Sequence, residues 1–134
     1  MKRTLLDTDT LTYFLQGNPR VAARAAEHIR LYQALNISLI TEYEVLHGLY
    51  YKDARVQLPR FELMLTKQNV LSVTTESVRL SAAIYANLKK QGLRLEHTDV
   101  LIAGVAIAHG LQLATNNTRH FERIEGLQLT NWTQ

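Results

Sequence analysis

The sequence predicts an α/β domain whose mostly parallel sheet is covered by helices on both faces. Three observations lead there. Short apolar runs rich in branched residues recur along the chain, each is followed by a stretch of helical period, and polar or glycine residues punctuate the junctions. Size and composition agree. A chain of 134 residues, 46% hydrophobic and 20% charged, has globular composition and the length of one domain, expected to span residues 1–134. No repeat, linker or low-complexity segment interrupts it. A domain this long buries roughly two-thirds of the surface its unfolded chain exposes, so it needs no metal or disulfide staple to hold a core.

Thr4-Leu5-Leu6 reads as the first strand, stopped by the polar turn Asp7-Thr8-Asp9-Thr10, after which Leu11, Phe14 and Leu15 recur at helical spacing. Asn18 as N-cap and Pro19 at the first helical position open a helix carried by the Ala-rich stretch from Val21 to Leu35. Ile37 to Ile40 is too short and too branched for a helix and forms the second strand, feeding a helical pattern from Thr41 through Tyr51. Val56 to Leu65 is helical with Pro59 near its start, and Val70 to Val73 is the third strand. Thr75 to Lys90 follows as a helix with an apolar stripe from Leu80 to Leu88. Past Gly92 comes a loop from Leu93 to His97. Thr98 and Asp99 then cap a helix from Val100 to His109, which Gly110 ends. Leu111 to Ala114 is the fourth strand, Asn116 to His120 a polar turn entering a short helix, and Leu127 to Thr130 a fifth strand.

Composition narrows the function classes. The absence of cysteine excludes disulfides, thiolate zinc sites and a cysteine nucleophile, and fits a reducing compartment. Met1-Lys2-Arg3-Thr4-Leu5-Leu6-Asp7 reaches an acid before any long apolar run, which argues against a signal peptide or membrane anchor and makes the cytoplasm the expected location. A net charge of +3 permits a polyanionic partner without requiring one.

In parallel α/β sheets, ligands bind beyond the carboxyl ends of the strands. Asp7 follows the first strand, Glu44 lies one turn into the helix after the second, and Asn117 follows the fourth; Asp99 starts the helix leading into that fourth strand. Converging carboxylates repel one another unless a cation sits among them. Hard oxygen donors suit Mg²⁺, which keeps several waters, whereas zinc would want more histidine or cysteine. Each residue also has a purely structural explanation. Glu44 stands three residues after Thr41, the spacing of a capping box, while Asp7, Asp9 and Asp99 suit helix N-termini, and Asn116 and Asn117 are turn formers. Gly48 inside a helix costs about 1 kcal/mol relative to Ala, so close helix packing or a wall of the site is expected there. Tyr13, Phe14, Tyr50 and Tyr51 are expected in the core or at a dimer contact.

Four segments occur in one order: Leu5-Leu6-Asp7-Thr8-Asp9, Ile40 to Gly48, Asp99-Val100-Leu101-Ile102-Ala103, and Ala114 to Phe121, with Ile124 to Leu127 and Asn131-Trp132 trailing. Together they make nearly the whole chain resemble the PIN domain, specifically the VapC ribonuclease toxins of type II toxin-antitoxin systems. The resemblance implies a PIN-like three-layer α/β/α sandwich, a Mg²⁺ or Mn²⁺ site, cleavage of RNA with tRNA as a plausible target, homodimerisation, and inhibition by a cognate VapB-like antitoxin. Asp7 matches the family's first acid, Glu44 the acid before the motif glycine, here Gly48, and Asp99 the acid opening the Asp-x-x-Ile-Ala helix. These three are the implied catalytic and metal-binding residues. Asn117 falls where many PIN domains have aspartate and His120 where VapC relatives often place an acid, which makes them candidates for a fourth position; Asp9 can supply some of the missing charge. Arg119 is the implied RNA contact. The implied mechanism is hydrolysis by metal-activated water, leaving a 5′-phosphate and a 3′-hydroxyl.

Three other readings compete. Neutral Asn117 and His120 would suit a catalytically idle PIN module that binds nucleic acid or protein. A histidine-pair ribonuclease would use the ribose 2′-hydroxyl, but His28, His47, His97, His109 and His120 share no motif. A receiver-type acidic pocket lacks its expected phosphoacceptor and lysine contexts.

Overall fold

The structure, a computed structural model, describes residues 1–134. Its strands are Thr4–Leu6 (β1), Asn36–Ser38 (β2), Asn69–Leu71 (β3), Gln112–Ala114 (β4) and Leu129–Thr130 (β5). They form one sheet in the order β3-β2-β1-β4-β5, and every pairing is parallel. The expected mostly parallel sheet is wholly parallel because each strand returns to the next through a helix, which leaves no hairpin. The helices are Thr8–Leu15 (α1), Pro19–Tyr32 (α2), Leu39–Tyr51 (α3), Gln57–Leu65 (α4), Thr75–Lys90 (α5), His97–Ala108 (α6) and Thr118–Phe121 (α7).

The three layers follow from the two-residue period of β1 and β4. Leu5 and Leu113 pair in register and face a cluster with Ile102, Val105 and Leu88 from α5 and α6. Their neighbours Leu6 and Ala114, also paired, face the opposite cluster with Leu11, Val21 and Ile37. The helices α5 and α6 pack so closely that a Cβ built on Gly104 would collide with Ser81 Oγ and stand 2.6 Å from the Ser77 carbonyl oxygen. Behind the other cluster, the buried His28 accepts the Thr4 N–H at Nε2 (3.1 Å), so its Nδ1, 2.9 Å from the Ala34 carbonyl, is the donor. The ring thereby ties α2 to the entry of the central strand.

Several boundaries differ from the sequence reading, and the differences bear on function. Asp7 to Thr10 is not a free turn: Asp7 is the N-cap of α1, and helix begins at Thr8. Leu39 and Ile40 belong to α3 rather than to a strand, because Ser38 caps that helix by accepting the Thr41 N–H (3.1 Å). Thr41 is therefore the third helical residue, and the Thr41–Glu44 capping box does not form. Asp99 does not cap its helix either; Glu96 holds the N-cap position, without a side-chain cap bond, and Asp99 is the third residue of α6. Gly48 has open space where a Cβ would be, so close helix packing does not explain it. Tyr13 and Phe14 pack against the core as expected, whereas Tyr50 and Tyr51 are exposed.

Candidate active site

The strand order reverses at β1, with β2 and β3 to one side and β4 and β5 to the other. The crevice between the loops after β1 and β4 is thus where a parallel sheet offers a site. Asp7 closes β1 and is only 4% exposed. Its N–H donates to the Ala114 carbonyl of β4 (3.0 Å) and its Oδ1 accepts the Thr10 N–H (2.8 Å), so both its backbone and its rotamer are fixed. Glu44 projects from the second turn of α3 to α1, where its Oε1 accepts the Thr8 hydroxyl at 2.6 Å. Thr8 Oγ1 also lies 3.0 Å from Thr41 Oγ1, so a run of hydroxyls orients this acid from two helices. Asp99 arrives from a third direction. The helix α6 precedes β4 in a parallel sheet and runs back across it, which starts the helix at the edge where the strands end.

The electrostatics of these acids are coupled. Asp99's carboxyl is pushed up to about 6, first by burial and then by the charges of Glu44, Asp7, Asp9 and Glu96. Burial also raises Asp7 above the usual carboxylate range, against the Thr115 side chain and the Thr10 N–H, which favour its ionised form. No basic side chain pairs directly with these acids, since the single ion pair within 4 Å in the chain joins Arg55 to Asp53. The donors are hard oxygens with no sulfur. No three of them close into a compact cage. That combination suits a divalent cation that keeps several of its waters, for which Asp7 and Asp99 would be the oxygen donors, with Glu44 beside them.

Asn117 and His120, at the start of α7, line a cavity of about 620 Å³ together with Asp99. Both candidates for a fourth position therefore share that cavity with Asp99, one as an amide and the other as an imidazole. Arg119 does not: it is exposed, lies outside that cavity's lining and pairs with no acid. The cations that do line the cavity are Lys89 and Arg94, and His97 joins His120 there. Sequence reasoning did not place Thr8, Tyr85 or His97 beside these acids. The one-turn spacing of Tyr85 and Lys89 on α5 was a usable signal. No local spacing links Thr8 to Glu44, which only the sheet topology brings together.

The model of the PIN domain matches residues 4–127. The chain belongs to the PIN-domain family. Its relatives place it more narrowly. It is 32% identical over 132 residues to Ribonuclease VapC1 of Haemophilus influenzae strain R2866, covering 97% of this chain and 98% of that one. It is 33% identical over 138 residues to the tRNA(fMet)-specific endonuclease VapC of Salmonella typhimurium, covering 98% and 99%. The crystal structure of DNA-bound VapBC from Salmonella typhimurium superposes with a TM-score of 0.87 at 30% identity, covering 98% of this chain and 99% of that one. Within the family, the protein is thus a VapC-type member.

Proposed function

We propose that this protein is the toxin of a type II toxin-antitoxin pair, a divalent-metal-dependent endoribonuclease acting through Asp7, Glu44 and Asp99. The observation that carries the reading is the uncompensated acid group at the switch point of the sheet, where Asp99 is held near pKa 6 by burial and by the facing carboxylates. A cation bound among these carboxylates would favour their ionised forms and offset their repulsion.

When bound, Mg²⁺ or Mn²⁺ neutralises charge growing on the scissile phosphate and acidifies a water. Asp7, locked by its cap, and Asp99, in the first turn of α6, would hold the cation with little reorganisation. Glu44 Oε1 is engaged by Thr8, which leaves Oε2 to orient the attacking water. Thr8 is a positioning residue for this acid. Burial of Asp7 keeps bulk water from diluting the charge interactions.

A VapB-like antitoxin is the expected partner, supported by the VapBC assembly to which the chain is similar. A transfer RNA is the candidate substrate, supported by the relative named as a tRNA(fMet)-specific endonuclease. No helix of the protein is long and apolar enough to cross a membrane. The neutral residues at the fourth position, Asn117 and His120, favour the competing idle-module reading. One experiment separates them. Purified protein incubated with total tRNA should cleave with Mg²⁺ or Mn²⁺ and stop with EDTA, and RNA bound but intact under all conditions would establish the idle module.

A further inference from the structure

The cavity beside the acids has a second half that the three carboxylates do not use. Tyr85 of α5 and His97 of α6 both line it, and their rings stack with centroids 4.8 Å apart and planes at 23°. Lys89, one helical turn after Tyr85, lines it as well, with Nζ 5.8 Å from the Tyr85 ring centroid. Arg94 follows on the loop into α6, and the buried Leu88 contributes apolar lining. Neither cation has an acid within 4 Å. A lysine on an aromatic face, a second unpaired cation and an apolar lining, all within one cavity, suit a planar base with its phosphate.

We propose that this cavity is a nucleotide subsite. It receives one unpaired base of an RNA strand next to the bond being cut, stacked on the Tyr85–His97 pair, with the adjoining phosphate held by Lys89 and Arg94. The inference rests on the ribonuclease reading only for the position of the cleaved bond. RNA is recognised chiefly through unpaired bases splayed onto aromatic and guanidinium planes, and the cations attract its backbone. A peptide has less use for two free cations beside a ring face. The chain's 250 Å³ hollow beside α5 offers no aromatic face at all, which sets this cavity apart.

The test uses the full chain in EDTA, so that binding is read without cleavage. The probe is a fluorescein-labelled single-stranded RNA of about ten nucleotides, followed by anisotropy. Tyr85→Leu should weaken binding about tenfold and Tyr85→Phe should leave it unchanged, since a ring is what stacking needs. Lys89→Gln and Arg94→Gln alter exposed side chains and should each lower the salt dependence of log Kd by roughly 0.7. Those two variants decide the matter if Tyr85→Leu fails to fold. A 5-iodouridine version of the probe should photocrosslink to the peptides carrying Tyr85 or His97. Unchanged affinity and salt slope in folded variants, or crosslinks confined to another face, would overturn the subsite. Loss of antitoxin binding with RNA binding intact would overturn it too, by giving the cavity to the protein partner. Adding Mg²⁺ to the same mixtures separates the two readings. RNA bound at Tyr85 but never cut removes the nuclease and keeps the subsite, whereas cutting that ignores all three residues removes the subsite alone.

Discussion

Replacing Asp99 by asparagine should make the metal-free protein more stable while abolishing its activity. Asp99's carboxyl stands at about 6 in the folded protein against 3.8 for an unperturbed group. At about 1.4 kcal/mol per pH unit, that displacement sets a ceiling of ~3 kcal/mol on the cost of ionising it. Partial exposure and screening bring the expected figure to roughly 1–2 kcal/mol. The folded protein keeps this proton to higher pH than the unfolded chain does, so between about pH 4 and 6 the folded state binds more protons and its stability falls as pH rises. The amide of the Asp99→Asn variant would be neutral throughout. In EDTA at pH 8 the variant should melt roughly 4–8 °C above the parent, and the gap should close as pH drops through that window. Adding Mg²⁺ at about a hundred times its Kd should raise the parent's melting temperature and leave the variant's unmoved. Equal melting temperatures at pH 8 in EDTA, or a less stable variant, would refute the picture of mutually repelling acids.

Other consequences follow from particular contacts. Glu44→Gln keeps an amide oxygen for the Thr8 hydroxyl and loses no cap, and it removes the largest charge facing Asp99, so in EDTA its melting temperature should lie at or above the parent's and no higher than that of Asp99→Asn. Its cleavage should fall at least about a hundredfold, a loss of roughly 2.7 kcal/mol in transition-state stabilisation, and full activity in a steady-state assay would remove Glu44 from the site. His28→Ala strands the Thr4 N–H and opens a cavity, and should cost about 3 kcal/mol in urea denaturation. Burial lowers the His28 pKa below 6.5, so its neutral form contributes stability that is present above about pH 6.5 and is lost as pH falls through the lowered value. The parent's stability should therefore decline in mild acid more steeply than that of the alanine variant. Gly104→Ala should destabilise by about 2 kcal/mol or more because its methyl meets Ser81 and Ser77, whereas Gly48→Ala, with open space, should gain about 0.5–1 kcal/mol. The same urea titrations compare all three.

The alternation of apolar runs with helical stripes made the layers readable in the sequence, because a parallel sheet buries its strands on both faces and leaves continuous apolar runs such as Thr4-Leu5-Leu6. The α5 boundaries were read to the residue, since Thr74 supplies an N-cap and Gly92 follows the end. Cap positions were harder. Ser38 and Thr41 are both good caps three residues apart, and local chemistry does not choose between them; pairing of β2 with β1 and β3 does, by ending the strand at Ser38. Asp7 and Glu44 were brought together in the sequence reading by the rule that ligands bind after strands, and Asp99 by its place at the start of the helix that leads into β4. Their partners were not, because Thr8 is 36 residues from Glu44 and the Tyr85–His97 stack joins two helices. Arg119 looked suited to the site by its neighbours in sequence, yet a short helix turns successive side chains in different directions, and it takes Asn117 and His120 to the cavity instead.

The chemistry of the cut ends tests the central claim most directly. Three carboxylates holding a cation would direct water at phosphorus, whereas His97 and His120, which share the cavity with Asp99, are the groups a 2′-hydroxyl mechanism would need. End-group analysis of tRNA cleaved by the purified protein should find 5′-phosphate and 3′-hydroxyl termini with Mg²⁺, and no cleavage in EDTA. Cyclic 2′,3′-phosphate ends that form undiminished in EDTA would contradict it.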